Sequence, residues 1–209
     1  MSAYIDQFAT ARTLTDAEVA SLMKATGEHV GGFRDHVLFA LALETGLREH
    51  ELLALNWADV CGAGGEPRRI VRLTIFKGAG RAKAADLKAQ EVRLSEKTGA
   101  KLARLRAVSA RDGLPAGDGD AVFATVRGRM AERTARHVFK VWQKRAGFDR
   151  EFTFHELRHT AITRIYRASG GDIRLAQRAA RHKRVTTTER YTHASDEALS
   201  RVANLAAVG

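Results

Sequence analysis

The sequence predicts an α+β fold that is mainly helical and carries a small antiparallel β-sheet. Apolar residues recur at helical spacing over most of the 209 residues, whereas they alternate with polar residues around positions 70–94. Hydrophobic residues make up 44% of the chain and only two prolines occur, which is typical of a folded domain. The length favours one main domain, residues 15–195, between a short N-terminal extension of residues 1–14 and a C-terminal helix in residues 196–209.

Capping residues and apolar spacing predict the first helices. The letters TDAE form a capping box ahead of a helix over about residues 16–26. Residues 33–45 have an apolar face wide enough to be mostly buried, and Gly46 ends that helix. A short helix is expected to begin near Arg48.

The small sheet is predicted where the hydrophobic period changes. Apolar and polar residues alternate over residues 71–76, and residues 91–94 return antiparallel to that strand. The glycine- and lysine-bearing segment between them, KGAGRAKAADLKAQ, then forms a hairpin tip. A short apolar stretch at residues 121–125 is interpreted as a third strand.

The second half of the chain is predicted to be helical. Ser95 caps a helix that extends to about residue 108, and the turn cluster RDGLPAGDGD separates the two halves. A basic amphipathic helix follows over residues 131–146. The remaining helices are predicted over about residues 155–168, 172–181, 186–193 and 196–206.

The charge of the chain indicates a polyanionic partner. Lys and Arg total 35 against 24 Asp and Glu, for a net charge of +11. Residues 1–60 carry a net −5, residues 61–120 carry +6 and residues 121–209 carry +10. A field of this size retains polyphosphates by counterion release, so salt-dependent binding is expected. A basic but inert surface is the alternative at this point.

The remaining composition excludes several classes of protein. A single cysteine, Cys61, excludes an internal disulfide framework and a multi-cysteine zinc site. It suits a reducing compartment, and we expect a cytoplasmic protein. No apolar run is long enough to span a bilayer, and the amino terminus lacks a basic segment followed by an apolar one. We therefore expect no membrane association.

Four separated segments carry side chains suited to chemistry on phosphates. They read TGLREHEL at residues 45–52, IFKGAGRAK in the hairpin, HELRHT at residues 155–160 and ARHKRVTTTERYTH at residues 180–193. In this order they resemble the tyrosine recombinase (phage integrase) family. That family is marked by an arginine in TGLRxxEL, a lysine at a strand turn, HxLRHT, and a histidine nine residues before the tyrosine of YTH. The resemblance extends over nearly the whole chain.

The resemblance implies a site-specific DNA recombinase whose catalytic domain is residues 15–195. The Tyr191 hydroxyl would attack double-stranded DNA, leaving a 3′-phosphotyrosyl link and a free 5′-hydroxyl, with no metal or other cofactor. A second 5′-hydroxyl can reseal the link, because it conserves the phosphodiester. The family also implies a homotetramer on paired sites. The apolar stripe of residues 196–209 would then dock on a neighbouring subunit, or else pack on its own domain.

The same resemblance assigns roles to the candidate site residues. Arg48 and Arg158 would bind the non-bridging oxygens, which planar guanidinium groups match in pairs. His155 would be an acid–base group, and His182, nine residues before the tyrosine, a hydrogen-bond donor to the phosphate. His155 and Arg158 are three residues apart, so a helix places both on one face.

Two further residues complete the predicted set. Lys77, at the end of the first strand, would protonate the leaving 5′-oxygen. Its hairpin is longer than is usual in the family, so Lys83 is the alternative acid, although the strand-end position favours Lys77. Glu51, one helical turn after Arg48, would orient the arginine.

The chain departs from the family pattern beside one site residue and at its amino terminus. Arg181 precedes His182, where the family commonly has glycine, and this puts the local backbone conformation in question. Only a short extension precedes the first predicted helix, whereas many members carry a separate helical DNA-binding domain there. We therefore expect a small single-domain recombinase or one that needs a partner for tight binding.

Three alternatives stay open beside the recombinase. The segment from His155 to His159 also reads H-E-x-x-H, a zinc signature, but Ile162 occupies the place of the glycine in its extension, and Arg158 would put a positive charge beside the metal. His159 is therefore expected to be a packed or hydrogen-bonded helix residue. The other two are DNA relaxation similar to that of type IB topoisomerases, and a DNA-binding regulator with a vestigial catalytic set.

Overall fold

The computed structural model describes residues 12–62, 64–73, 90–182 and 184–189. They belong to two compact units, residues 12–161 and the described residues from 162 onward. In chain order the elements are α1 (Asp16–Glu28), α2 (Phe33–Thr45), α3 (Glu49–Ala54), α4 (Trp57–Val60), β1 (Ile70–Leu73), β2 (Gln90–Arg93), α5 (Glu96–Arg111), β3 (Ala124–Thr125), β4 (Gly128–Arg129), α6 (Glu132–Arg145), α7 (Phe154–Ala168), α8 (Ile173–Ala180) and α9 (Thr186–Glu189).

The predicted fold class is confirmed. Helices dominate the described residues, and β1 pairs with β2 in an antiparallel register that places Val71 opposite Val92. The expectation of a third strand over residues 121–125 was wrong in its extent. Only Ala124–Thr125 are in β3, and they pair with β4 in a second two-stranded sheet, because Gly128 at φ 96° allows a tight reversal.

Two further details differ from the sequence-based prediction. Helix α1 continues through Gly27 to Glu28, and α4 had no counterpart in the prediction. Helix α4 is a single turn whose Trp57 and Val60 are fully buried. Its four residues are too few to show a helical period, which explains why sequence spacing misses it.

Aromatic residues hold the helices of the first unit together. The rings of Phe39 on α2, Phe139 on α6 and Phe154 on α7 contact one another, with centroids 5.4 to 6.3 Å apart. All three lie in the buried core. Burial of aromatic side chains contributes strongly to stability, so this cluster fixes the start of α7 against α2.

A carboxylate at the end of α2 caps the start of α5. Glu44 accepts hydrogen bonds from the Ser95 backbone N–H at 2.6 Å and the Ser95 hydroxyl at 2.9 Å, and also from the Thr98 hydroxyl. A negative charge at a helix N-terminus is favourable, since it meets the unpaired N–H groups there. The contact joins α5 to the end of α2, just before the α2–α3 turn.

Within the described part of the chain, every helix is too short or too polar to cross a lipid bilayer.

Candidate active site

A left-handed glycine forms the turn between α2 and α3. Gly46 has φ 59° and ψ 25°, and its N–H donates to the Ala42 carbonyl at 3.0 Å. Glycine takes this conformation without the cost that a Cβ atom brings. The turn reverses the chain within three residues and makes Arg48 the N-cap of α3.

A buried carboxylate holds Arg48 at two points. Glu51 is 1% exposed, and its Oε2 accepts the Arg48 backbone N–H at 2.9 Å. Its Oε1 accepts from Arg48 Nη1 at 2.8 Å. The Arg48 side chain keeps 22% of its surface exposed while Glu51 binds its guanidinium. These contacts suit the orienting role predicted for Glu51, which stays a prediction.

Arg158, from a distant part of the sequence, binds the same turn. It lies on α7, is 3% exposed, and donates from Nη1 to the Gly46 carbonyl. The carbonyl belongs to the residue two positions before Arg48. Both predicted phosphate-binding arginines are therefore attached to the α2–α3 turn, although 110 positions separate them in the sequence.

His155 lies one helical turn before Arg158 on α7 and has an exposed ring. Its ring meets that of His159 edge-on, with centroids 4.6 Å apart. Partial desolvation lowers the pKa of His155 below its usual value, and the positive charges of Arg158 and Arg48 lower it further. Glu156 opposes the shift. The imidazole is therefore neutral at pH 7 and able to accept a proton.

Arginines from the second half of the first unit fix α3. Arg136 on α6 forms a two-pronged ion pair with Glu49, through Nε at 3.0 Å and Nη2 at 2.8 Å. Arg129 on β4 donates from Nη1 to the Leu53 carbonyl at 2.7 Å, near the end of the helix. Helix α3 has only six residues and would not be stable alone, so these contacts keep it, and Arg48 with it, in place.

His182 follows a second left-handed residue, in the second unit. Arg181, at φ 55° and ψ 40°, ends α8. Its N–H donates to the Arg178 carbonyl at 3.0 Å, and the His182 N–H donates to the Gln177 carbonyl at 3.1 Å, as in a Schellman motif. Arg181 thus adopts the conformation for which glycine is preferred, which settles the question that the sequence raised.

The His182 imidazole contacts a buried hydroxyl. Its Nδ1 lies 2.9 Å from Oγ1 of Thr188 on α9, a residue that is fully buried. The Gln177 side chain donates from Nε2 to the His182 carbonyl at 3.1 Å. Sequence reasoning did not single out Thr188 or Gln177. Neither residue carries a signal in the sequence, because their contacts with His182 depend on how the end of α8 and α9 pack.

The structure brings four of the predicted site residues together in one unit, and a fifth lies in the other unit. Arg48, Glu51, His155 and Arg158 cluster in the first unit, and His182 is in the second. The other predicted positions, namely Lys77, its alternative Lys83, Tyr191 and the tail of residues 196–209, lie outside the described residues and stay predictions.

The H-E-x-x-H segment has no third ligand nearby in the structure as described. No group of three His, Cys, Asp or Glu side chains with metal-binding geometry occurs among the described residues. His159 packs against His155, as the sequence predicted for a helix residue.

Comparison with known proteins identifies relatives over most of the chain. The phage integrase family model matches residues 12–198. The chain is 30% identical over 173 residues to tyrosine recombinase XerC of Caldanaerobacter subterraneus subsp. tengcongensis, covering 82% of this chain and 44% of that protein. It is 31% identical over 170 residues to tyrosine recombinase XerD of Corynebacterium glutamicum, covering 81% and 51%. The chain thus spans about half the length of these curated relatives.

Solved structures agree with the sequence relatives. The crystal structure of XerA recombinase is 26% identical with a TM-score of 0.71, over 95% of this chain and 66% of that one. The fold is also that of XerH site-specific recombinase bound to its difH substrate in a post-cleavage complex, with a TM-score of 0.71 at 21% identity over 92% and 52%. The α2–α3 turn and α7, with their paired arginines, lie within the matched region, and the chain belongs to the phage integrase family.

Proposed function

We propose that this chain is a site-specific DNA recombinase that cuts and rejoins DNA strands through a 3′-phosphotyrosyl intermediate. The observation that carries the proposal is the attachment of Arg48 and Arg158 to one turn, beside a histidine whose pKa both of them lower. Two guanidinium groups and an imidazole in one region are suited to an anion with several oxygens. A phosphodiester of DNA is such an anion.

The arginines would stabilise charge on the phosphate during attack. Glu51 and the Gly46 carbonyl hold the two guanidinium groups before DNA arrives, so little reorganisation is needed at the moment of reaction. Removing a preorganised partner of this kind costs about 3 to 4 kcal/mol in activation free energy. Arg48→Ala or Arg158→Ala should leave DNA binding largely intact and lower the cleavage rate by roughly two orders of magnitude or more.

His155 would serve as the base that takes the proton of Tyr191. A tyrosine side chain in water has a pKa of about 10, so the hydroxyl must lose its proton during attack at neutral pH. A neutral imidazole can accept that proton, and the lowered pKa of His155 keeps the ring neutral. A bound phosphate would bring a negative charge that raises the ring's proton affinity as the reaction proceeds.

Lys77 is proposed as the acid that protonates the leaving 5′-oxygen, and the rejoining step reverses the same transfers. The reaction conserves the phosphodiester energy in the protein–DNA link. The side chains assigned here supply the cations and the proton carriers for it. The matched pair Lys77→Ala and Lys83→Ala tests the assignment of the acid, because only the first should slow cleavage if the strand-end lysine is the donor.

Covalent trapping tests the proposed chemistry. A library of nicked suicide duplexes of random sequence, incubated with the full chain, should yield DNA that stays attached to protein in denaturing detergent. Sequencing the trapped DNA would also identify the target. Tyr191→Phe should abolish the trapping, and trapping that survives this change would contradict the assignment of the nucleophile.

The same experiment separates the alternatives. A DNA-binding regulator would retain DNA in native gels and trap none. An activity similar to that of type IB topoisomerases would relax a supercoiled plasmid that carries a single site, whereas a recombinase should yield exchanged products only from paired sites.

We propose a homotetramer on paired sites as the active assembly. Light scattering with and without the selected DNA, on the full chain and after deletion of residues 197–209, tests the role of the tail. A tetramer that forms equally well without the tail would contradict its docking on a neighbouring subunit.

A further inference from the structure

We propose that Thr188 is a positioning residue for His182. Its hydroxyl donates a hydrogen bond to Nδ1, so that the neutral imidazole carries its proton on Nε2. The consequence for catalysis rests on the proposed function, whereas the direction of the hydrogen bond follows from the local geometry alone.

The direction of the bond follows from burial. Thr188 is fully buried, and its Oγ1 lies 2.9 Å from His182 Nδ1. In the part of the chain that the structure describes, this is the hydrogen bond of that hydroxyl. If Nδ1 carried the proton and donated it, the threonine O–H would be a buried donor without an acceptor, at a cost of about 1 to 3 kcal/mol. The favourable arrangement has the hydroxyl donating, which makes Nδ1 the acceptor.

Hydrogen bonds hold the backbone of both members of this pair. The Schellman hydrogen bonds fix the backbone of His182 at the end of α8, and the Gln177 side chain binds its carbonyl. On the other side, the Thr188 N–H donates to the Val185 carbonyl at 2.6 Å within the turn that begins α9. The ring lies just after α8 and the hydroxyl lies on α9, and these two short helices pack on each other.

The consequence for the reaction is a hydrogen-bond donor that works without a charge on the ring. A neutral imidazole donates from only one of its two nitrogens. With Nδ1 accepting from Thr188, the neutral ring carries its proton on Nε2, and that nitrogen is the one able to donate to a phosphate oxygen. The family resemblance assigns His182 a donor role, and Thr188 would supply the tautomer that this role requires.

Nuclear magnetic resonance of the full chain with 15N-labelled histidine tests the tautomer directly. The chain has eight histidines, and the His182→Gln variant identifies the signals of interest. At pH 8 we expect His182 to show an unprotonated Nδ1 and a protonated Nε2. A protonated Nδ1 would overturn the proposal.

Three variants test the consequence for cleavage. Thr188→Val keeps the shape and removes the hydroxyl, Thr188→Ser keeps the hydroxyl, and Thr187→Val makes the first change at an exposed position of the same helix. At pH 8 we expect Thr188→Val to slow covalent trapping by about tenfold or more, since the neutral ring no longer has a fixed donor. Thr188→Ser and Thr187→Val should remain close to the original chain.

The pH dependence distinguishes positioning from packing. At a pH low enough to protonate the His182 ring, which the resonance experiment identifies, both nitrogens carry a proton, so the defect of Thr188→Val should shrink to about threefold or less. A defect of equal size at both pH values would indicate lost packing and would overturn the proposal. Both valine variants keep the charged groups of the described residues between 172 and 189, which are Asp172, Arg174, Arg178, Arg181, Arg184 and Glu189.

The two readouts separate this proposal from the proposed function. If the resonance experiment gives the expected tautomer and the original chain traps no DNA, the cleavage chemistry fails and the hydrogen-bond assignment is supported. If trapping occurs and Thr188→Val equals Thr187→Val at every pH, the recombinase is supported and Thr188 is not a positioning residue.

Discussion

Two corners of the molecule, the α2–α3 turn and the end of α8, have similar backbone conformations but are held by different side-chain contacts. In each, a helix ends in a left-handed residue, and a predicted catalytic side chain follows within two positions. At the α2–α3 corner, Gly46 precedes Arg48, and residues from distant positions in the sequence hold the turn. At the α8 corner, Arg181 precedes His182, and the contacts described above come from residues within the segment 177–188.

The difference shows two ways to fix a functional side chain. The first corner relies on a buried carboxylate and on long-range contacts, so its geometry exists only when the whole first unit is folded. The second corner relies on short-range hydrogen bonds, which form with little loss of chain entropy. Substitutions at the first corner should therefore disturb contacts between distant elements, and substitutions at the second should disturb contacts within residues 177–188.

Among the variants that test this comparison, Glu51→Ala is expected to lower the free energy of unfolding most. The change leaves the Arg48 N–H without its acceptor and the guanidinium without its buried partner, which should cost about 2 to 4 kcal/mol in the free energy of unfolding. Urea denaturation measures it. Glu49→Ala is the matched control, because it removes a carboxylate from the same helix whose partner, Arg136, is 58% exposed. Equal losses in the two variants would contradict the special role of Glu51.

A smaller loss is expected from Gly46→Ala. A Cβ atom at a positive φ costs about 1 to 2 kcal/mol, so the free energy of unfolding should fall by that amount. Because Arg158 binds the carbonyl of this residue, any shift of the turn should also slow covalent trapping. A variant with unchanged stability and unchanged trapping would show that the turn tolerates another conformation.

At the second corner the opposite change, from arginine to glycine, can be tested by comparing Arg181→Gly with Arg181→Ala. Both variants remove the side chain, and only glycine relieves the positive φ of 55°. The glycine variant should therefore be more stable than the alanine variant by about 1 kcal/mol, measured by urea denaturation. Because the difference between them is independent of what the arginine side chain contacts, equal stabilities would contradict the left-handed conformation assigned to residue 181.

The sequence predicted the long helices well because each contains several turns, which makes its apolar period readable. Helix α2 was expected over residues 33–45 and has those bounds, since its broad apolar face and the glycine after it both mark its end. Helix α4 and the β3–β4 hairpin were missed, because elements of two to four residues carry no readable period. Thr188 escaped notice for another reason: its role depends on packing between α8 and α9, which spacing alone does not reveal.

The net charge of a segment also does not show which of its arginines are available to a polyanion. The net charge of +10 over residues 121–209 was interpreted as a surface for a polyanion. Some of those arginines instead support the fold: Arg129 binds the backbone carbonyls of Leu53 and Leu55, and Arg136 binds Glu49. Formal charge cannot separate arginines that face DNA from arginines that hold a helix, because that division depends on tertiary contacts.

The smallest expected effect tests whether ionic contacts make the first unit sensitive to acid. Arg150 binds the Glu18 carboxylate through Nε at 3.0 Å and Nη2 at 3.1 Å, and this contact lowers the pKa of Glu18 from 4.5 to about 2. A carboxylate with a depressed pKa in the folded state stabilises the protein above pH 4.5 and loses that contribution between pH 4.5 and about 2.

The Glu18→Gln variant isolates this contribution. Glutamine retains an oxygen for the Thr15 N–H of the capping box and removes the charge. The original chain should exceed the variant in the free energy of unfolding by no more than about 1 kcal/mol at neutral pH, because solvent screens the pair. The difference should decline as the pH falls from 4.5 and vanish near pH 2. A difference that stays constant over that range would show that Glu18 acts through its shape rather than its charge.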